Sequence, residues 1–303
     1  TAKEYSTILK LEYKKLDEFA KHKSKLIDNL KQHNGDDLAT QISLSVNMPK
    51  DGQQTALLIE SLDETSGYIE LEKTRVHKGI EDMERIKENM NILKDCTLCP
   101  RNCHADRLGG QRGRCHETAE IVAARAALHM WEEPCISGDA GSGAVFFSGC
   151  SMGCIFCQNH NIAEAKAGKI ITIEKLSQIF LELQGEGAAN INLVTPTHYV
   201  PQIIEALEMA RKAGLALPVV YNTSGYEKLE TIQMLDGYVD VYLPDFKYME
   251  PELAAAYSKA PDYPEYAKVS LKEMIRQTGN IQINKETGMI QKGVIVRHLV
   301  LPG

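Results

Sequence analysis

From Gly143 onward the chain alternates apolar runs with amphipathic stretches, and that rhythm limits the fold more than any other feature. The runs are "AVFFSG", "INLVTP", "PVVYNTSG", "VDVYLPDFK" and "GVIVRHLVLPG". Helical periodicity fills the gaps at about 173–185, 200–213 and 228–236. Strands that are apolar at nearly every position have no wet face, so they belong in a parallel sheet covered on both sides. Such sheets and barrels gather ligands at the carboxyl ends of their strands. Each run here ends in a chemically active motif: a cysteine triplet, then "TPTH", "NTSG", "DFK" and "PG". Five strands are too few to close an eight-stranded barrel.

The rest of the chain divides into two zones. Residues 1–95 hold no cysteine and read as a helical N-terminal region. One stripe is Ile8, Leu9, Leu16, Phe19, Leu26, Ile27 and Leu30; another is Val76, Ile80, Met83, Ile86, Met90 and Leu93, with "SVNMPKDGQQ" and "TSG" as loops between them. Residues 96–142 are a Cys-rich segment that turns into a strand from Ile121 to Met130, and residues 143–303 carry the alternating part. All eight cysteines lie within residues 96–157, at C-x2-C and C-x3-C spacings. In a chain of 303 residues, most of it without cysteine, that clustering indicates metal ligation in a reducing cytoplasm rather than a disulfide framework. A net charge of −7 gives no electrostatic reason to expect nucleic acid or anionic lipid as a partner, and no apolar run approaches the length of a membrane span. The first residue is Thr1 and the text stops just after the fifth strand, so a trimmed sequence is expected.

"FFSGCSMGCIFCQNHNI" places Cys150, Cys154 and Cys157 on one loop. Thiolates select soft metals, and three of them are one short of a closed tetrahedral shell. Either a [4Fe-4S] cluster with one iron free of protein ligands or a catalytic zinc would satisfy that count. Zinc gives no reason for Phe156 beside the last cysteine, nor for the polar motifs at the other strand ends.

The spacing in "CSMGCIFC", C-x3-C-x-aromatic-C, resembles the signature of the radical S-adenosylmethionine (SAM) superfamily. The resemblance covers residues 96–303 and is closest to the pyruvate formate-lyase activating enzymes, within an activase-like branch. It implies a partial (β/α)6-type barrel, here ending after the fifth strand. It also implies a [4Fe-4S] cluster on Cys150, Cys154 and Cys157 whose open iron binds SAM, and reductive cleavage of SAM to a 5′-deoxyadenosyl radical that abstracts hydrogen. "VDVYLPDFKYM" resembles the activase strand ending in Asp-x-Lys, which makes Asp245 and Lys247 cofactor contacts. By the same resemblance Phe156, Asn222, Thr223, Ser224 and Arg297 fall beside the cofactor. Where the superfamily carries Gly-Gly-Glu, this chain has Thr195-Pro196-Thr197-His198, whose hydroxyls, carbonyls and imidazole offer substitute acceptors. The implied partners are a glycyl-radical enzyme and a reduced flavodoxin- or ferredoxin-type donor. The alternatives are a radical SAM enzyme acting on a small molecule or another macromolecule, and a non-catalytic iron–sulfur or zinc module.

Upstream, "CTLCPRNCHADRLGGQRGRC" supplies Cys96, Cys99, Cys103 and Cys115, a complete four-thiolate set for a second iron–sulfur cluster or zinc. Arg101, Arg107, Arg112 and Arg114 either offset a thiolate cluster's charge or form a solvated loop. Cys135 is expected to be a small filler, and Glu132 with Glu133 a solvated face.

Overall fold

The structure is a computed structural model that describes residues 44–46, 57–59 and 89–300. Most of the N-terminal stripes therefore lie outside the described residues. The chain divides into two compact units, Thr1–Glu84 and Arg85–Gly303. In the first unit β1 (Leu44–Val46) pairs antiparallel with β2 (Leu57–Ile59), so Ser45 and Val46 are strand rather than loop.

The second unit is a mixed eight-stranded sheet with helices around it. A 3-10 turn at Ile92–Lys94 leads through an irregular stretch into β3 (Ile121–His129), followed by α1 (Pro134–Ser137) and β4 (Ser142–Phe147). Next come α2 (His160–Ala163), β5 (Lys169–Ile171), α3 (Ile173–Gly185), β6 (Ile191–Val194), a 3-10 turn at Thr197–Tyr199 and α4 (Val200–Lys212). The remainder is β7 (Val219–Thr223), α5 (Leu229–Gln233), β8 (Val241–Pro244), α6 (Pro251–Ser258), α7 (Tyr263–Thr278), β9 (Gln282–Ile283) and β10 (Ile290–Val294). Strand order is β5-β3-β4-β6-β7-β8-β10-β9. β4, β6, β7, β8 and β10 run parallel, and the first four carry the first four apolar runs of the sequence; β3, β5 and β9 are antiparallel additions. β10 shares only Gly293 and Val294 with "GVIVRHLVLPG", because the polar Gln291 and Lys292 within the strand hide its start. The remainder of that run follows the strand and meets β8 again at an Arg297–Asp245 bridge.

Register explains why β4, β6, β7 and β8 are mostly apolar on both faces. Val145, Phe147, Ile191, Leu193, Val219, Tyr221 and Tyr242 join one core with Phe180, Leu183, Ile203 and Leu207 from α3 and α4. Val220, Val241 and Leu243 face the other way and pack with Ile136 and Ile290. Each fully buried side chain of this kind contributes about 1.5–3 kcal/mol. Ile136 belongs to the 130–137 segment, which covers the second face of the sheet; the Ile136 carbonyl accepts from Asn190 Nδ2 at 2.6 Å. Cys135 packs half-buried against this cluster, as a filler would. Among the described residues, no helix is long and apolar enough to cross a membrane.

Candidate functional site

The parallel order puts the ends of β4, β6, β7, β8 and β10 along one edge, and the chemistry sits there. After β4 the chain turns through Gly149, whose φ is +86. A Cβ on Gly149 would lie 2.5 Å from the Cys115 carbonyl oxygen and 2.6 Å from Glu117 Cγ, so only glycine fits. Cys150, Cys154 and Cys157 follow, all unbridged. Cys150 Sγ accepts from the Met152 N–H at 3.4 Å, and Cys154 Sγ from Ser258 Oγ at 3.0 Å. Cys150, Cys154 and Phe156 pack against Met152, Tyr226, Tyr248 and Tyr263. The Cys150 thiol is pushed up to about 11, first by burial and also by its neighbours Cys154 and Cys157. Such thiols keep their protons until a metal displaces them. Among the described residues, no three Cys, His, Asp or Glu side chains stand converged on a single ion-sized point. The thiols interact electrostatically without forming a shell.

β6 and β7 end in a buried hydroxyl cluster that centres on a residue the sequence reading passed over. Glu227 is fully buried, and its Oε1 accepts from Thr197 Oγ1 at 2.7 Å, from Thr223 Oγ1 and, more weakly, from Tyr221 Oη at 3.5 Å. Its Oε2 has no partner. Thr197 and Thr223 therefore spend their hydroxyls on Glu227. Thr195 sits at φ +58, a costly conformation for a β-branched residue, held by its N–H to the Asn222 carbonyl at 2.9 Å. His198 is buried and its Nε2 lies 2.6 Å from the Ser148 carbonyl, at the entry to the cysteine loop. Burial, with Arg107 second, lowers its pKa to about 3, so the neutral ring donates from Nε2. Ser224 lends its carbonyl to Tyr263 Oη at 2.8 Å. Gly225 closes the "NTSG" motif at φ +78; a Cβ there would stand 2.2 Å from the Asp245 carbonyl oxygen.

Burial raises the Glu227 carboxyl to about 7, well above its ordinary 4.5. The folded protein therefore holds a proton there that the unfolded chain loses, and stability falls as pH rises from 4.5 to 7. Glu227→Gln is expected to remove that slope. Urea titrations should show wild type losing about 2–3 kcal/mol more than the variant across the window. Parallel curves would mean that Glu227 titrates normally.

β8 and β10 end in a charged chain. Lys247 pairs with Asp245 Oδ2, and Arg297 Nε donates to Asp245 Oδ1 at 3.0 Å. Arg297 also donates to Asn222 Oδ1 at 2.7 Å and stands 3.6 Å from Glu132 Oε2 and 3.9 Å from Glu133 Oε1. Asn222 Nδ2 in turn reaches Glu132 Oε1 at 3.4 Å. Glu132 is thus not on a solvated face: its side chain is 9% exposed, with Glu133 at 28%, because the 130–137 segment carries both under the strand ends. The structure brings Asn222, Asp245, Lys247 and Arg297 into one network. Cys157 feels the Lys247 charge, which places the thiol loop beside that network.

The upstream cysteines lie against the triplet's loop. Cys103 and Cys115 both bring their sulfurs to 3.3 Å from the Cβ position of Gly113, and Cys96 Sγ lies 3.7 Å from Arg107 Nη1. Arg107 is buried, not solvated. Arg101, between Cys99 and Cys103, donates to the carbonyls of Ser151 at 2.8 Å, Met152 at 2.9 Å and Ser258 at 3.0 Å, as well as Lys259. His104 pairs at the surface with Asp95, and His116 is exposed beside Arg114.

A half-barrel of parallel strands with three free thiols on the loop after its first parallel strand, and polar groups at every later strand end, defines the class. Residues 144–283 match the family model described as the Radical SAM superfamily. The chain is also similar to an uncharacterized protein of Methanocaldococcus jannaschii, at 30% identity over 239 residues. That alignment takes in 73% of this chain and 64% of the relative's length, so the chain spans less than two-thirds of it.

The donor set fits the group this superfamily carries. Soft thiolates are the ligands that iron–sulfur clusters take, and N–H and O–H groups already point at all three sulfurs.

Proposed function

We propose that the protein is a radical SAM enzyme, with Cys150, Cys154 and Cys157 holding a [4Fe-4S] cluster and the strand-end network holding SAM. The observation that carries this reading is that three unbridged thiols share the loop after β4, at the sheet edge where Asp245, Lys247 and Arg297 pair, with Cys157 in reach of the Lys247 charge. When bound, the reduced cluster supplies the electron that cleaves the SAM sulfonium, releasing methionine and a 5′-deoxyadenosyl radical. The chain's own part is positional. Arg297 is the donor for the methionyl carboxylate, held in place by Asp245 and Asn222. Asp245 and the backbone around Thr195 accept from the methionyl ammonium. Met152, Phe156 and the Tyr226–Tyr248–Tyr263 cluster give the thiol loop an apolar backing that limits water.

Within that chemistry, an activase that takes hydrogen from a glycine in a partner protein is the finer reading. Its support is the resemblance of "VDVYLPDFKYM" to the activases and two exposed apolar side chains flanking the site, Ile155 and Met249, which suit a protein surface. The test is anaerobic turnover of reduced, reconstituted protein with SAM. 5′-Deoxyadenosine and methionine in equal amounts support the reading, and their absence with a full iron complement refutes it. A glycyl-radical signal on an added glycyl-radical enzyme separates the activase from a small-molecule enzyme.

Asp245→Asn removes the charge that orients both Lys247 and Arg297. It is expected to raise the SAM concentration for half-maximal turnover by about 10- to 100-fold, or 1.4–2.8 kcal/mol, with iron content unchanged. An unaltered SAM dependence would remove Asp245 from the site.

A further inference from the structure

We propose that Cys96, Cys99, Cys103 and Cys115 form a second, fully protein-ligated four-thiolate metal centre, and that this centre fastens the Cys150–Cys157 loop through Arg101. The metal half of the proposal stands whether or not the radical chemistry is right; the fastening half rests on that reading for its purpose.

Four observations point to a bound metal. Residues 95–120 form no helix or strand, yet Cys96, Cys99 and Cys115 within them are buried. Scattered backbone bonds, among them Cys96 N–H to the Ala105 carbonyl and His104 N–H to the Cys96 carbonyl, both 3.1 Å, fold the stretch around its own thiols. Its backbone is also strained: Asn102, His104 and His116, which flank Cys103 and Cys115, have φ of +40, +53 and +70. Two sulfurs meet at Gly113, and the Cys103 sulfur lies 3.9 Å from the Cys96 carbonyl oxygen, so the loop folds back on its own thiols. Finally, Arg107 is 1% exposed. Its head donates to the His198 and Thr118 carbonyls and to Cys96 Sγ, and its Nε has no partner. A buried guanidinium requires nearby negative charge. Glu117 supplies part of it, and thiolates at Cys96 and Cys115, both of which face the guanidinium, would add to it.

The fastening follows from Arg101. Set between two of the ligands, its guanidinium donates to carbonyls on both the triplet loop and the end of α6, and lies over the Tyr226 ring at 5.1 Å. The Cys115 carbonyl abuts Gly149, and Arg114 abuts Gly153. Losing the metal would release Arg101 and, with it, the loop that holds Cys150, Cys154 and Cys157.

Metal and sulfide analysis of the full chain with Cys150, Cys154 and Cys157 all replaced by Ala tests the centre. Retention of about four irons with sulfide, or of about one zinc, lost on adding Cys103→Ser, supports it and names the metal. Less than about a tenth of a metal per chain, in protein whose circular dichroism matches wild type, overturns it. Should the triple variant fold poorly, Cys103→Ser alone, at an exposed position, should lower wild-type metal content by that same increment; an unchanged content overturns the centre. Hydrogen exchange tests the fastening. In Arg101→Met the Ile155 and Cys157 amides, which bond to the Tyr257 and Cys154 carbonyls, should exchange at least about tenfold faster, and in Cys103→Ser likewise. Unchanged rates in either variant refute the link. SAM cleavage is not read in these experiments, so their failure is distinct from failure of the enzymatic reading.

Discussion

Cys157→Ala is expected to lower 5′-deoxyadenosine formation by at least about a thousand-fold, equivalent to roughly 4 kcal/mol of lost transition-state stabilisation. Cys157 is the cleanest of the three to remove. Its sulfur's donor is the Asn159 backbone N–H, and it lies outside the Met152–Tyr226–Tyr263 cluster that Cys150 and Cys154 join. The fold should therefore survive, with far-UV circular dichroism unchanged, while two thiolates are left to hold a group that needs three. Turnover within tenfold of wild type would show that Cys157 is not a ligand.

Gly149→Ala should strike both cysteine groups at once. An alanine methyl would meet the Cys115 carbonyl at 2.5 Å and lie 3.2 Å from His198 Nε2, at a φ of +86 that alanine resists. The carbonyl is backbone and cannot swing aside, so the loop or the upstream segment must shift. The expected cost is about 2–4 kcal/mol of stability, read as a lower denaturant midpoint. Iron content should fall as well. A variant with wild-type stability would mean that the two segments do not touch as described.

Four of the five parallel strands were legible because a strand covered on both faces must be apolar at consecutive positions, as "VVYNT" and "VYLP" are. β10, with Gln291 and Lys292 in it, lacks that signature and begins before its apolar run. The helices after β5, β6 and β7 were legible from their stripes. α6 and α7 were passed over, although Pro251 and Pro264 near their starts and the spacing of Tyr263, Ala267, Ser270 and Met274 are ordinary helix signals. What local pattern does not carry is a polar residue whose partner is distant in the chain. Glu227 gathers Thr197 from another strand end; Arg101 reaches Ser258; Glu132 meets Asn222 and Arg297 because the 130–137 segment runs beneath the sheet edge. Glu132 beside Glu133 reads as a wet acidic pair until that path is known. The thiol triplet was readable because a chelating loop is local by nature. Asp245, Lys247 and Arg297 were readable only through the family resemblance, and the ion pairs that join them were not, because the Arg297 contact depends on β10 lying next to β8.

The central claim is that SAM binds directly to an iron held by Cys150, Cys154 and Cys157. Electron paramagnetic resonance of the anaerobically reduced protein, recorded before and after adding SAM, tests it most directly. The account predicts a reduced [4Fe-4S] signal whose g-values shift when SAM is added, with both signal and shift lost in Cys157→Ala. A reduced-cluster signal that ignores SAM would contradict it.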